Sequence, residues 1–209
     1  MGRASRIAGF PVVLALVLVL GGCAFGTRQA TLIYPPKSET GVTPVASAAA
    51  EATSKEVSIV LMPFNDQRPD KKLVGTVRNG FGMRTADVVA VNSVPEWVSQ
   101  ALKLDFQKNG YTVISGNPGD SKLSPSVIVS GDIDNVFCDA YLTYEGQMSL
   151  MVKVSQDGNE LLSRQYVGTG TAGMSWGATA DSYAQSLALA LASAIKQLVS
   201  DLDKTFATQ

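Results

Sequence analysis

The 209-residue sequence contains no histidine. This removes Ser-His-Asp and Cys-His catalysis and every metal site that relies on imidazole. Cysteine is almost as scarce, with two in the whole chain, Cys23 and Cys138. Aromatic residues make up 7% and charged residues 17%, with 17 basic side chains against 18 acidic ones. Phosphate backbones are held by clustered Lys and Arg, so a balance without basic excess argues against a nucleic-acid partner. No metal, cofactor or catalytic set is expected from this inventory.

The N-terminus carries the strongest pattern. A short basic head with Arg3 and Arg6 precedes the apolar run Val12 to Leu20, then the small residues Gly21 and Gly22, then Cys23. That order is the one an export signal follows, with the arginines retained on the cytoplasmic side. Leu20-Gly21-Gly22-Cys23 resembles the lipobox of bacterial lipoproteins, whose cysteine is acylated and becomes the new N-terminus. An uncleaved membrane span is the alternative, because Ile7 to Phe25 is uncharged and its 19 residues approach the length a span needs. Pro11 and the paired glycines interrupt that run, and no basic stop follows closely.

Residues 1–22 are therefore expected to be a signal peptide, with the mature chain held to a membrane by lipid on Cys23. Ala24 follows where a lipoprotein kept at the inner membrane would resemble others in carrying aspartate, so the periplasmic face of the outer membrane is expected. Cleavage takes Arg3 and Arg6 from the 17 basic residues and leaves 15 against 18 acidic. With Cys23 acylated no intramolecular disulfide can form. Cys138 then reads as a small apolar side chain in the core.

Residues 23–55 read as a flexible linker, since Thr40 to Ser54 is small, polar and free of aromatics. Ala30 to Tyr34 is its only strand-like piece, closed by Pro35-Pro36. As a coil of ~32 residues it would hold the body roughly 30 Å from its anchor.

Residues 56–209 read as a single α+β domain, a mostly antiparallel sheet with two helices packed on one face. Val57 to Met62 is a buried strand, and Gly75 to Arg78 with Asp87 to Val91 flank a glycine turn at Asn79 to Gly82. Ser93, Pro95 and Glu96 open a helix through a capping box, with Trp97, Val98, Ala101, Leu102 and Leu104 on its apolar face and Gly110 at its end. Tyr111–Ser115, Ser126–Phe137, Gln147–Gln156 and Glu160–Gly168 alternate as strands, the last pair joined at Asp157-Gly158. A long helix from about Thr179 to Phe206 aligns Tyr183, Leu187, Leu191, Ala194, Ile195, Leu198 and Leu202 on one stripe.

The lipobox cysteine, a first strand running into Asp66-Gln67-Arg68, a helix ending in Asn109-Gly110-Tyr111-Thr112-Val113 and a closing hairpin with a C-terminal helix resemble the YajG-like family of uncharacterised bacterial envelope lipoproteins. The resemblance implies an envelope location and brings no catalytic residues.

Other motifs have plainer readings. Gly168-Thr-Gly170-Thr-Ala-Gly173 fits a GxGxxG pattern, but no βαβ unit surrounds it, so a strand-to-helix connection is expected. Asp132 and Asp134 fall two apart on a strand, the spacing of paired carboxylates on one face, and are expected to be solvated. Trp176, in a glycine-rich loop, and Arg68 are the candidates for contacting a partner, each set against a role in packing or in its own turn. The function expected is an accessory or scaffold subunit of a cell-envelope complex with an envelope protein as partner. A binder of envelope glycan, peptidoglycan or lipid is the alternative. An enzyme would need Asp132, Asp134 or Cys138 to converge in a cleft.

Overall fold

The computed structural model describes residues 26–36, 55, 57–116, 127–174 and 179–207. Its strands are β1 (Gly26–Ala30), β2 (Ser58–Leu61), β3 (Asn65–Asp66), β4 (Leu73–Arg78), β5 (Arg84–Ala90), β6 (Thr112–Ser115), β7 (Val127–Ala140), β8 (Thr143–Gln156) and β9 (Asn159–Met174). The helices are α1 (Val94–Lys108), between β5 and β6, and α2 (Ala180–Ala207), after β9.

The sheet is organised around β7. Its one edge pairs along its length with β8, which pairs in turn with β9, both antiparallel. Its other edge is shared by three short strands in succession, all parallel to it: Ile59 opposite Val127, Asn65 opposite Asp132, and Gly75 opposite Cys138. β6 adds parallel to β2, β5 adds antiparallel to β4, and β1 adds parallel to β5. The long ladders are antiparallel and the short ones mostly parallel. The segment from Ser58 to Arg78 thus travels along β7, leaving it at Pro63 and at the turn after Asp66.

Local chemistry explains the elements. Ser93 Oγ accepts the Glu96 N–H at 3.3 Å and starts α1. Asn79 caps the β4–β5 turn by accepting the N–H groups of Phe81 and Met83, each at 3.0 Å. Asp157 and Gly158 join β8 to β9 with φ of 51° and 81°, the left-handed pair that a tight hairpin turn needs.

Both helices cover one face of the sheet. α2 lies across β8 and β9 and touches α1, and its stripe from Tyr183 to Leu202 is buried as its spacing predicts. α1 buries Val94, Trp97, Val98, Ala101, Leu102 and Phe106. Leu104 was expected on that face but is exposed, because the stripe centres on Val94, Val98 and Ala101. Phe106 takes the opposite margin and packs edge-on against Tyr111, with centroids 6.1 Å apart.

The N-terminal segment departs from expectation. The strand is Gly26–Ala30, ahead of the Ala30–Tyr34 stretch, and residues 26–36 belong to the body although they were read as linker. Ala30 and Leu32 are buried in the core. Leu32 exchanges hydrogen bonds with the Asn92 amide at 2.8 and 3.1 Å, and Tyr34 donates its hydroxyl to Asp105. β1 is polar because it forms a sheet edge, so it lacks the apolar run that would mark a strand in sequence.

Candidate functional site

The groups able to do chemistry are parted by one irregularity in β7. Up to Ile133 the odd-numbered residues Val127, Val129 and Ile133 point into the core, and from Val136 the even-numbered ones do. The register with β8 passes from Ile133 opposite Leu150 to Asn135 opposite Ser149, so Asp134 is the extra residue of a bulge. Strict alternation would put Asp132, Asp134 and Cys138 on one face. The bulge instead turns Cys138 into the core, where it is fully buried.

Each of the three has its own surroundings. Asp132 Oδ1 accepts from the side-chain amides of Gln67 at 3.1 Å and Asn65 at 3.4 Å. Asp134 Oδ2 accepts from Gln165, across β8, at 3.4 Å. Cys138 Sγ lies 3.1 Å from Ser186 Oγ on α2. Burial pushes the Cys138 thiol up to about 12, with the Ser186 hydrogen bond pulling weakly the other way, so it is protonated at neutral pH and a poor nucleophile.

Arg68, one of the two expected partner contacts, is only 4% exposed. Its guanidinium holds both Asp66 oxygens at 2.9 and 2.8 Å and donates to the carbonyls of Leu73 and Lys71 at 2.8 and 2.6 Å. The turn from Asp66 to Leu73 therefore takes up the fork that a partner's carboxylate or phosphate would need. Burial raises the Asp66 carboxyl, but the hydrogen bonds and charge of Arg68 outweigh it and hold the group below the usual range. Trp176, the other expected contact, and Cys23 lie outside the described residues.

The GxGxxG match lies within β9 and not in a strand-to-helix connection. Its first two glycines serve packing, whereas a Cβ at Gly173 would meet no atom of the described residues within 4 Å and its φ is 50°. A Cβ at Gly168 would stand 1.9 Å from the Ala190 carbonyl oxygen, and one at Gly170 would stand 2.4 Å from that of Ser186. Gly146 on β8 meets the same carbonyl of Ser186 at 2.5 Å. Their missing side chains let α2 lie directly on the β8–β9 backbone.

Two surfaces escaped the sequence reading. The sheet face away from the helices carries exposed Gln147, Lys153, Gln165, Val167, Thr169 and Thr171. β9 pairs with β8 alone among the described strands, and α2 reaches its backbone through Gln197, which donates to the Val167 carbonyl at 2.8 Å. The alternation of Val167, Thr169 and Thr171 with Tyr166, Gly168 and Gly170 is the signal that marks it as half-wet. Between the β4–β5 and β7–β8 turns, a cleft of ≈ 370 Å³ is lined by Arg78, Asp139, Tyr141, Leu142, Thr143 and Glu145 among others. The Arg78 Nε and Asp139 Oδ1 atoms are 2.8 Å apart across it.

Comparison with known proteins places this geometry. A crystal structure of a Xanthomonas campestris protein is similar, with a TM-score of 0.53 and 12% identity over 88% of this chain and 96% of that one. A hypothetical protein from Chlamydia trachomatis is similar with a TM-score of 0.50 and 10% identity over 73% of this chain and 99% of the other. At those identities the likeness is one of fold. No curated protein matches the sequence. No helix among the described residues is long and apolar enough to cross a membrane. A family model described as uncharacterized lipoprotein matches residues 44–203, and the chain belongs to that lipoprotein family, whose members are anchored to membranes by lipid.

Proposed function

We propose that this lipoprotein is an accessory or scaffold subunit of a bacterial cell-envelope complex that acts by holding a protein partner and performs no catalysis. Acyl chains on Cys23 anchor it at the periplasmic face of the outer membrane, and its relatives are the YajG-like lipoproteins. Ala24, next to the lipobox cysteine, supports the outer-membrane assignment.

The observation that carries the reading is the edge of β9 that no described strand covers, where α2 reaches only the Val167 carbonyl, through Gln197 at 2.8 Å. A strand edge presents a row of backbone donors and acceptors to any chain that pairs with it, and soluble proteins usually shorten or charge such edges. Between Gln165 and Met174 this one carries no charged residue. Addition of a partner strand there would satisfy the backbone groups and leave specificity to the alternating side chains. The separation of Asp132, Asp134 and Cys138 supports a binding role in the same sense.

The test is extraction of the protein from native envelope membranes in mild detergent. A companion in fixed stoichiometry is expected, and Val167→Lys with Thr169→Lys should release it while the body stays folded. A companion retained by the folded double variant would remove the edge from the account. A folded Asp132→Asn, Asp134→Asn, Cys138→Ala variant should also complement a deletion strain; loss of function would return that strand to consideration as a reactive site.

A further inference from the structure

The exposed apolar side chains are not scattered evenly. Phe81 and Met83 sit on the β4–β5 turn, Tyr141 and Leu142 on the β7–β8 turn, and Met174 at the end of β9. Register puts all of them at one end of the sheet, since Val77 is opposite Ala140 and Thr143 is opposite Met174. Phe81 is 88% exposed, and Leu142 and Met174 are each 68% exposed. The other large exposed apolar residues, Val91, Leu104, Ile114 and Val167, are single positions on separate elements. The end is also ordered, because Tyr141 donates its hydroxyl to the Gly80 carbonyl at 3.2 Å and ties one turn to the other. A gathered apolar patch of this kind marks a contact surface.

The start of β1 points to what covers it. β1 runs parallel to β5 with Gly26 opposite Ala86, so the chain enters the sheet at the end that carries the two turns. Gly26 is three steps along the chain from Cys23, with Ala24 and Phe25 between them. At 3.3–3.6 Å each these steps reach about 10 Å, the same span that separates Ala86 from Met83 along the neighbouring strand. Lipid on Cys23 therefore brings the bilayer surface within reach of the turns and leaves little slack for the body to stand away from it. Of the charged groups nearby, Arg78 pairs with Asp139 and Arg84 with Asp87, while Glu145 accepts from the Thr143 hydroxyl at 3.2 Å, so a polar collar surrounds the apolar side chains.

We infer that this end of the sheet is a membrane-contacting surface. Phe81, Met83, Tyr141, Leu142 and Met174 enter the interfacial layer of the leaflet that holds the acyl chains of Cys23, with the long strands rising from the bilayer. Aromatic and aliphatic side chains at a polar boundary suit that layer. The inference rests on the proposed acylation of Cys23 and adds an orientation to it. The sheet's far end, with the β8–β9 turn, would stand roughly 40 Å away from the membrane along β7.

Phe81→Cys, Leu142→Cys and, as the distant control, Glu160→Cys are each labelled with an environment-sensitive fluorophore in the acylated protein. Each is then reconstituted in vesicles of phosphatidylethanolamine and phosphatidylglycerol. Labels at 81 and 142 should shift to the blue and be quenched by nitroxide-bearing lipids, and the label at 160 should do neither. Labels at 81 and 142 as wet as that at 160, on an acylated and vesicle-bound protein, overturn the inference alone. A blue shift without lipid quenching assigns the surface to a protein contact and overturns it too. Mass spectrometry of the Cys23 peptide is read separately: an unmodified peptide from the native protein overturns the anchoring and this orientation together.

Discussion

Trp97 donates its indole N–H to the Ile33 carbonyl at 2.8 Å, joining the first turn of α1 to the segment that follows β1. The same indole is 3% exposed, so the contact is made in the core. Through it the segment that follows β1 becomes part of the sheet's support.

Trp97→Phe keeps most of the apolar surface but orphans the Ile33 carbonyl, and should cost about 1 kcal/mol of stability. Trp97→Ala should cost about 3–5 kcal/mol. Amide exchange across Thr27–Ala30 should quicken in both variants before the rest of the sheet responds. Denaturant unfolding followed by exchange measurements checks this; unchanged protection in β1 would mean that its backbone pairing with β5 suffices to hold it.

How far the fold was legible follows from the kind of signal each element carries. α1 was readable because Ser93, Pro95 and Glu96 are local instructions, and α2 because its stripe repeats over 28 residues. The β8–β9 hairpin was readable from Asp157-Gly158. β1 was not, since Gly26-Thr27-Arg28-Gln29 has neither apolar alternation nor β-branched density. The bulge at Asp134 was equally silent, because a bulge depends on the register of two strands and not on one residue type. The sequence reading put Asp132 and Asp134 on one face and Cys138 in the core, and it is the bulge that turns Cys138 inward against strict alternation. The edge of β9 was hidden for a related reason: nothing local tells which strand comes last in a sheet.

Gly168 faces the Ala190 carbonyl oxygen so closely that a methyl group would sit 1.9 Å from it. Backbone on both sides cannot move aside as a flexible side chain would. Gly168→Ala is therefore expected to cost at least the ~1–3 kcal/mol typical of overpacking, by prising α2 from β9. Gly158→Ala has no such neighbour and is strained only through its positive φ, so thermal unfolding should rank Gly168→Ala as the more damaging. The reverse order would show that α2 can shift to accommodate the methyl.

Leu191 and Leu198 are both fully buried on α2. Truncation of either to alanine should cost about 2–5 kcal/mol, whereas Lys196→Ala, at an exposed position, should be close to neutral. Equal losses at all three positions in urea unfolding would contradict the packing of this helix.

The Cys138 thiol, with an ordinary value of 9.0, is pushed up to about 12 by burial. The folded state therefore retains a proton that the unfolded chain releases. This contribution is complete below pH 9 and is lost as pH rises from about 9 to about 12. Tyr34, Tyr111, Tyr166 and Tyr183 are also raised by burial and act in the same direction at higher pH. Stability measured between pH 8 and 11 should fall less steeply in Cys138→Ala than in the parent chain. Parallel slopes would show that the thiol is not the group that titrates.

The last expectation concerns residues 37–54, the part of the 23–55 linker reading that lies between residues 26–36 and Lys55. Both ends of this stretch are fixed at the same place. Tyr34 bonds to Asp105 near the end of α1, and Lys55 donates its N–H to the Gly110 carbonyl at 2.9 Å just beyond that helix. The segment therefore leaves and rejoins the body beside the end of α1, next to β6, whose pairing with β2 puts it at the opposite end of β7 from the two apolar turns. Its length cannot govern how far the body stands from Cys23, because β1 has already docked between them. Deletion of about half of Thr40–Ser54 should leave fluorescence transfer from a label at position 81 to the vesicle surface unchanged. It should also raise stability slightly, by about 0.6 kcal/mol for a halved loop. Insertion of a similar flexible stretch between Cys23 and Gly26 should instead weaken that transfer, since only those residues lie between the acylated cysteine and the sheet. If the deletion lowers transfer and the insertion does not, the tether lies in 37–54 after all and β1 is displaced from β5 in the membrane-bound protein.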